Sequence, residues 1–141
     1  MTALTQDRPT PERDGRRVSD PLAAVAVIYA GALYVLDSAG AAVAATAAAT
    51  TPVRAVATAR ASAAAGDSRV EGALGVFRFD NGSGAAELTR ADIGATAYVV
   101  DDQTVGATGT CVAGPVFDVD DAGVWVHVGA AVAPAAAPPA G

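Results

Sequence analysis

The sequence of 141 residues contains no lysine, and cysteine, histidine and tryptophan occur once each. A lone cysteine, Cys111, excludes a disulfide within the chain. One Cys together with one His, His127, provides too few soft ligands for a zinc site of the Cys/His type. We therefore predict no metal site and no cofactor.

Aromatic residues are equally scarce, with one Trp, three Tyr and three Phe. The hydrophobic fraction of 52% consists mostly of Ala and Val, and about a quarter of all residues are Ala. Burying an Ala removes much less apolar surface than burying a Leu or Phe, at about 25 cal/mol per Å². The length suits one domain with tails, and its thin core predicts that self-association contributes to stability.

The charge balance is acidic, with nine Arg against 15 Asp and Glu and a net charge of −6. Residues 1–20 are neutral, so the rest of the chain carries the whole excess of negative charge. Proteins that bind nucleic acid on their own usually show a basic patch or stripe, and this sequence has none. We therefore predict no direct contact with nucleic acid.

One segment imitates an export signal. Arg16 and Arg17 precede an apolar run at 21–36, and the small-residue sequence 42–44 follows, an order found in twin-arginine signal peptides. The run is shorter than the roughly 20 residues that span a bilayer, and residues 37–40 have the composition of a turn. We expect no contact with a membrane, and an exported domain cleaved after residue 44 remains the alternative.

The remaining pattern predicts three parts. Residues 1–20 are polar and read as an extended N-terminal arm, and residues 129–141 form a low-complexity Ala/Pro tail that we expect to be flexible. Between them, residues 21–128 show short apolar runs with turn residues every 8–12 positions. This spacing is typical of an all-β domain, a small barrel or sandwich of short antiparallel strands.

The clearest hairpin lies near the end of this domain. Residues 112–119 and 124–128 read as strands around the turn at 120–123, with Val124, Val126 and Val128 on one face of the return strand and Trp125 and His127 on the other. Residues 80–84 predict a tight turn, in which Asn81 and Gly82 provide the positive φ angles, and a helical turn is expected between Thr89 and Gly94.

No residue pattern predicts catalysis. The acidic residues at 118–121 resemble the start of a calcium loop, but Ala122 and Gly129 stand at its fifth and twelfth positions, where ligands are required. His127 is not accompanied by a Ser or Cys nucleophile in any known spacing. A glycan-cleaving enzyme would need two carboxylates in one cleft, whereas the acids here lie mostly at predicted turns.

Five segments in order resemble the small capsid cement, or head decoration, proteins of tailed bacteriophages and prophages, particularly Mu-like ones. The segments are Thr10–Gly15 with Pro21, Ile28–Leu33 leading to Leu36–Gly40, Gly75–Phe79, Ala91–Val105 and the hairpin Asp118–Val128. The resemblance covers about residues 8–128. The chain departs from the family pattern in the Ala residues at 41–49 and 95, and in its Ala/Pro tail.

This resemblance implies a virion protein without catalytic activity. Such proteins bind the outside of the capsid, commonly as homotrimers at threefold and quasi-threefold positions, where they clamp neighbouring subunits of the major capsid protein. In several relatives an N-terminal arm adds to the β-structure of the capsid protein, a mode in which backbone hydrogen bonds provide affinity. The alternative is an exported or tail-associated β-domain that binds without catalysing a reaction.

Within the arm, Arg13, Arg16 and Arg17 are the candidates for binding the capsid, because a guanidinium group pairs well with carboxylates. Val18 and Leu22 are the candidate anchors of an added strand. By residue type, Tyr98 and Trp125 are the candidate interface residues of the domain. For Trp125, a place in the core is an equally good interpretation.

Overall fold

Short runs of Val and Ala separated by Gly, Pro and Asp form β-strands throughout the chain. The computed structural model describes residues 2–13 and 15–129, and it confirms the predicted all-β class. The strands are β1 Arg17–Pro21, β2 Val27–Ile28, β3 Leu33–Leu36, β4 Ala42–Ala44, β5 Val53–Ala57, β6 Ala61–Ser62, β7 Arg69–Ala73, β8 Gly75–Asn81, β9 Thr96–Asp101, β10 Thr104–Gly106, β11 Val112–Asp120 and β12 Gly123–Val128.

The first half of the chain forms an antiparallel sheet with the strand order β1-β7-β5-β3-β4. This sheet curls so far that Leu22, directly after β1, forms a bridge with Ala42 of β4 at the opposite edge. Ala23 N–H adds a hydrogen bond of 3.1 Å to Ala42 O. The short strands β2 and β6 pair separately.

The second half closes into a five-stranded barrel with the order β10-β8-β12-β11-β9. Its pairs are antiparallel except for β8 and β10, which run parallel. Of the two predicted architectures, the barrel is therefore the one formed here. On β12, Val124, Val126 and Val128 are fully buried whereas His127 is exposed, so the predicted alternation is confirmed.

The core has two parts, separated by the first sheet. Leu33 and Val35 on one face of β3 join the barrel valines in one cluster, whereas Tyr34 on the other face belongs to a second cluster with Ile28 and Val70. Most buried apolar residues are Val or Ala. Strands of small side chains thus fill two narrow interiors instead of one deep core.

Two local expectations have different outcomes. A 3-10 turn at Arg90–Asp92 lies within the predicted helical turn, and Thr89 and Asp92 form a capping box there. Within the turn predicted over residues 80–84, Gly84 has a positive φ, whereas Asn81 and Gly82, the predicted positions, do not. The Asn81 amide instead exchanges two hydrogen bonds with the backbone of Leu88, at 2.8 and 2.9 Å, and so holds a longer loop.

The boundary predicted at residue 20 also requires correction. Residues 17–20 belong to β1, which pairs with β7 over its full length from Arg17↔Ala73 to Pro21↔Arg69. The apolar run 21–36 continues into β2 and β3. None of the helices among the described residues has the length and apolar character that crossing a membrane requires. The predicted tail at 129–141 lies outside the described residues except for Gly129.

Candidate interaction surface

The N-terminal segment is exposed and precedes the first strand. Residues 2–13 are solvent-exposed and belong to no strand, and Arg13 is among them. Arg16 and Arg17 are also exposed, although Arg17 is already the first residue of β1. The extended arm of the sequence analysis therefore comprises the residues before Arg17.

Strand β1 is fixed in place by a buried polar network. Asp20, which is 6% exposed, accepts a hydrogen bond of 2.8 Å from the Tyr34 hydroxyl and forms an ion pair with Arg54, whose Nε lies 3.1 Å from Oδ2. Burial and the hydrogen bond to Asp20 raise the pKa of Tyr34 far above its usual value. Gly72 on β7 leaves space for this network, since a Cβ there would collide with the Tyr34 hydroxyl.

The outer edge of β1 is poorly suited to accept another strand. Leu74 N–H donates to Arg16 O and Leu22 N–H donates to Ser68 O. In an antiparallel pair, every second residue of a strand bonds to the neighbouring strand, and here residues 16 and 22 do so. The backbone N–H and C=O of Ser19 therefore point away from β7. Ser19 O is already bound to Arg69 Nη2 at 2.8 Å, and Pro21 has no N–H to donate. Such capping is typical of edges protected against unwanted pairing.

The assignment of Val18 and Leu22 as anchors of an added strand therefore changes. Both side chains pack against the second core cluster, and Val18 pairs with Gly72 of β7 within the protein's own sheet. They anchor β1 internally. The residues before Arg17 are the ones that remain as candidates for the predicted strand addition.

A groove lies where the arm joins the domain. It has a volume of about 470 Å³ and is lined by Arg16, Arg17, Thr58, Ala73, Leu74 and Phe77. We call it the Leu74 groove. Leu74 and Phe77 are half-buried and pack against the two core clusters. The groove thus combines an apolar floor with two guanidinium groups, and none of the described residues that line it is an acid.

The opposite end of the barrel is acidic. A surface recess of about 710 Å³ is lined there by Asp80, Glu87, Asp120, Asp121 and Arg90 together with neutral residues. A hydrogen bond from Trp125 Nε1 is the main cause that lowers the pKa of Asp120, and the backbone N–H of Ala122 adds to it. No group of three or more His, Cys, Asp or Glu in the described part of the chain is arranged to hold a metal ion.

Trp125 lies on the outside of the barrel and not in its core. Its indole Nε1 donates to Asp120 Oδ2 at 2.9 Å, and the Arg78 guanidinium lies 5.8 Å from the ring centroid. The neighbouring strand β11 has a bulge between Val116 and Asp118, and Phe117 in this bulge is 60% exposed. We call the outward residues Val76, Arg78, Phe117, Trp125 and His127 the barrel face.

Tyr98 and Trp125 are not brought together. Tyr98 on β9 is paired with Val112 near the start of β11, whereas Trp125 is paired with Asp118 near its end. At about 3.3 Å per residue these positions are roughly 15–20 Å apart. Both side chains are partly exposed, and any interface that includes both spans the length of the barrel.

Sequence reasoning missed the residues that matter most for this geometry. Leu74 carried no signal, since it stands between two predicted strand pieces, and the alternation around Phe77 indicated only a strand face. The burial of Asp20 became visible only with Tyr34 and Arg54 beside it. No protein-family model matches this chain, and neither a curated protein nor a solved structure is detectably similar to it.

Proposed function

We propose that this protein is a structural virion protein without catalytic activity that binds the outer surface of a tailed-phage capsid. In this proposal it acts as a homotrimer at threefold and quasi-threefold positions and holds neighbouring major capsid protein subunits together. The observation that carries the proposal is the exposed arm that runs directly into a strand locked by a buried network. A force on the arm would be transmitted to β1 and from there to the sheet.

The anchoring of β1 supports this role because a clamp must resist force. The strand is held by pairing with β7, by the Asp20–Arg54 ion pair and by the Tyr34 hydrogen bond. Removing one partner of a buried ion pair strongly destabilises a protein, because the other charge stays buried without compensation. An arm attached at this point therefore bears load without unravelling the domain.

The barrel face supports the self-association in the proposal. Phe117 is 60% and Val76 is 37% exposed, and Trp125 and Arg78 are stacked beside them. Trp and Arg are the residue types enriched at binding hot spots. A chain whose core consists mostly of Val and Ala gains stability when such a face is covered by a second copy.

The test is binding to expanded, empty phage heads made from the cognate major capsid protein. Full-length protein should decorate these heads, and a variant lacking residues 2–13 should bind at least about tenfold more weakly, because each lost backbone and guanidinium contact adds to the loss. A double variant of the full chain, Arg8→Ala with Arg13→Ala, tests the contribution of the arm's charge apart from that of its backbone hydrogen bonds. Equal binding of the truncated and full-length proteins would remove the arm from the proposal.

The exported alternative makes a different prediction. Cleavage after Ala44 would remove β1 to β4 together with the buried residues Ile28, Leu33 and Tyr34. Mass spectrometry of the protein isolated from its native source decides the question, since an intact mass that includes residues 17–44 is incompatible with that cleavage.

A further inference from the structure

Both ends of the described domain meet at Leu74. The Leu74 N–H donates to Arg16 O at 3.0 Å, where the arm enters. Gly129, the last described residue, follows β12 and lies directly against the Leu74 side chain, since a Cβ at Gly129 would stand 2.7 Å from Leu74 Cδ2. The start of β1 and the end of β12 therefore lie at the same corner of the domain, beside the Leu74 groove.

The corner at Leu74 and the opposite end of the barrel differ in charge. Strand β8, seven residues long, begins at Gly75 beside the groove and ends at Asn81, in the acidic recess. A strand of this length spans roughly 20 Å. At the groove end, the Arg17 guanidinium lines the surface and none of the described lining residues is an acid, whereas four acids line the far end. On a chain of net charge −6, the groove is thus a local basic site.

We propose that the Leu74 groove is the site at which an extended acidic segment of the major capsid protein docks. A carboxylate of that segment pairs with the Arg17 guanidinium, and an adjacent apolar side chain packs on Leu74 and Phe77. This inference rests on the proposed capsid-binding function and adds the face that turns toward the capsid. The acidic end of the barrel then points away from it.

Three observations favour this occupant. The groove is continuous with the arm, so one partner can contact both. Arg17 makes no ion pair with any other described residue, and Arg forks bind carboxylates with two parallel hydrogen bonds. The groove also offers apolar surface next to the charge, which an isolated anion would not use but a peptide segment would.

The experiment measures binding of full-length variants to expanded empty heads. Arg17→Glu should weaken binding about tenfold or more, and Arg17→Lys, which keeps the charge, should remain within about threefold of the wild type. Thr58→Trp tests the groove apart from the arm: Thr58 is exposed and lines the groove, so a bulky side chain should block it and weaken binding about fivefold or more. Arg90→Glu is the matched control, because it makes the same charge change at the acidic end.

The outcomes separate this inference from the proposed function. If the wild type decorates the heads but Arg17→Glu and Thr58→Trp bind equally well, the groove is not the docking site and the proposed function stands. If Arg90→Glu weakens binding as much as Arg17→Glu, the effect is one of net charge and the inference is overturned. If the variants change the mass of the oligomer in solution instead, the groove contacts a second copy. If the wild type does not bind, both proposals fall.

Discussion

The Tyr34 hydroxyl donates a hydrogen bond of 2.8 Å to Asp20 Oδ2 and thereby joins β3 to β1, two strands that are not neighbours in their sheet. The contact is possible because the sheet curls until Leu22 meets Ala42. Asp20, which is 6% exposed, lies at the base of the arm. The strength of this junction leads to several measurable expectations.

Tyr34→Phe should lower the free energy of unfolding by about 1–2 kcal/mol, because it removes one hydrogen bond to a buried charged group and leaves the ring in place. Urea denaturation followed by tryptophan fluorescence measures this change. Tyr29→Phe is the control, since Tyr29 is 59% exposed, and it should shift the free energy by less than about 0.5 kcal/mol. Equal effects of the two variants would contradict the importance of the Tyr34–Asp20 bond.

The two ion pairs should differ in strength. Arg54→Ala leaves the buried Asp20 carboxylate without its counter-charge, and we expect a loss of about 2 kcal/mol because the Arg54 side chain is 35% exposed and still partly solvated. Arg90→Ala breaks a pair whose side chains are 73% and 45% exposed, which should cost less than about 1 kcal/mol. Thermal and urea unfolding of both variants give the comparison, and a larger effect at Arg90 would refute the ranking.

Cys111 should make stability fall at alkaline pH. Burial raises the pKa of this thiol from 9.0 to about 11, and its Sγ lies 3.3 Å from Thr51 O. Because the folded-state pKa is the higher one, this contribution is complete below pH 9 and is lost as the pH rises through 11, at about 1.4 kcal/mol per pH unit. Urea titrations at several pH values test this, and Cys111→Ala should have a flatter slope even if it is less stable throughout.

Truncations should locate the boundary between arm and domain. Removing residues 2–13 should leave the melting temperature nearly unchanged, because those residues are exposed and belong to no strand. Removing residues 2–21 deletes β1 and strips Tyr34 and Arg54 of Asp20, so we expect loss of cooperative unfolding. Circular dichroism melts compare the two. A stable protein without residues 2–21 would mean that β1 is dispensable.

The local predictions succeeded where side chains alternate clearly. The alternation of Val124, Val126 and Val128 was predicted correctly, because a half-buried strand needs an apolar residue at every second position. In the turn predicted over residues 80–84, the positive φ was assigned to the wrong residues, Asn81 and Gly82. There the Asn81 amide binds the backbone of Leu88, and a contact across seven residues outweighs the preference of the dipeptide.

The scarcity of large side chains and the spacing of turns determined by themselves that this chain is an all-β protein with a thin Val- and Ala-rich core. Tertiary structure alone decided that β1 belongs to the domain, that the Trp125 side chain lies on the outer surface of the barrel and that Arg16 and Gly129 meet at Leu74. The physical reason for this difference is that the alternation of buried and exposed side chains along a strand involves residues only two positions apart, which the sequence shows directly. Burial of Asp20 and convergence at Leu74 depend instead on pairing between strands about 50 residues or more apart in the chain.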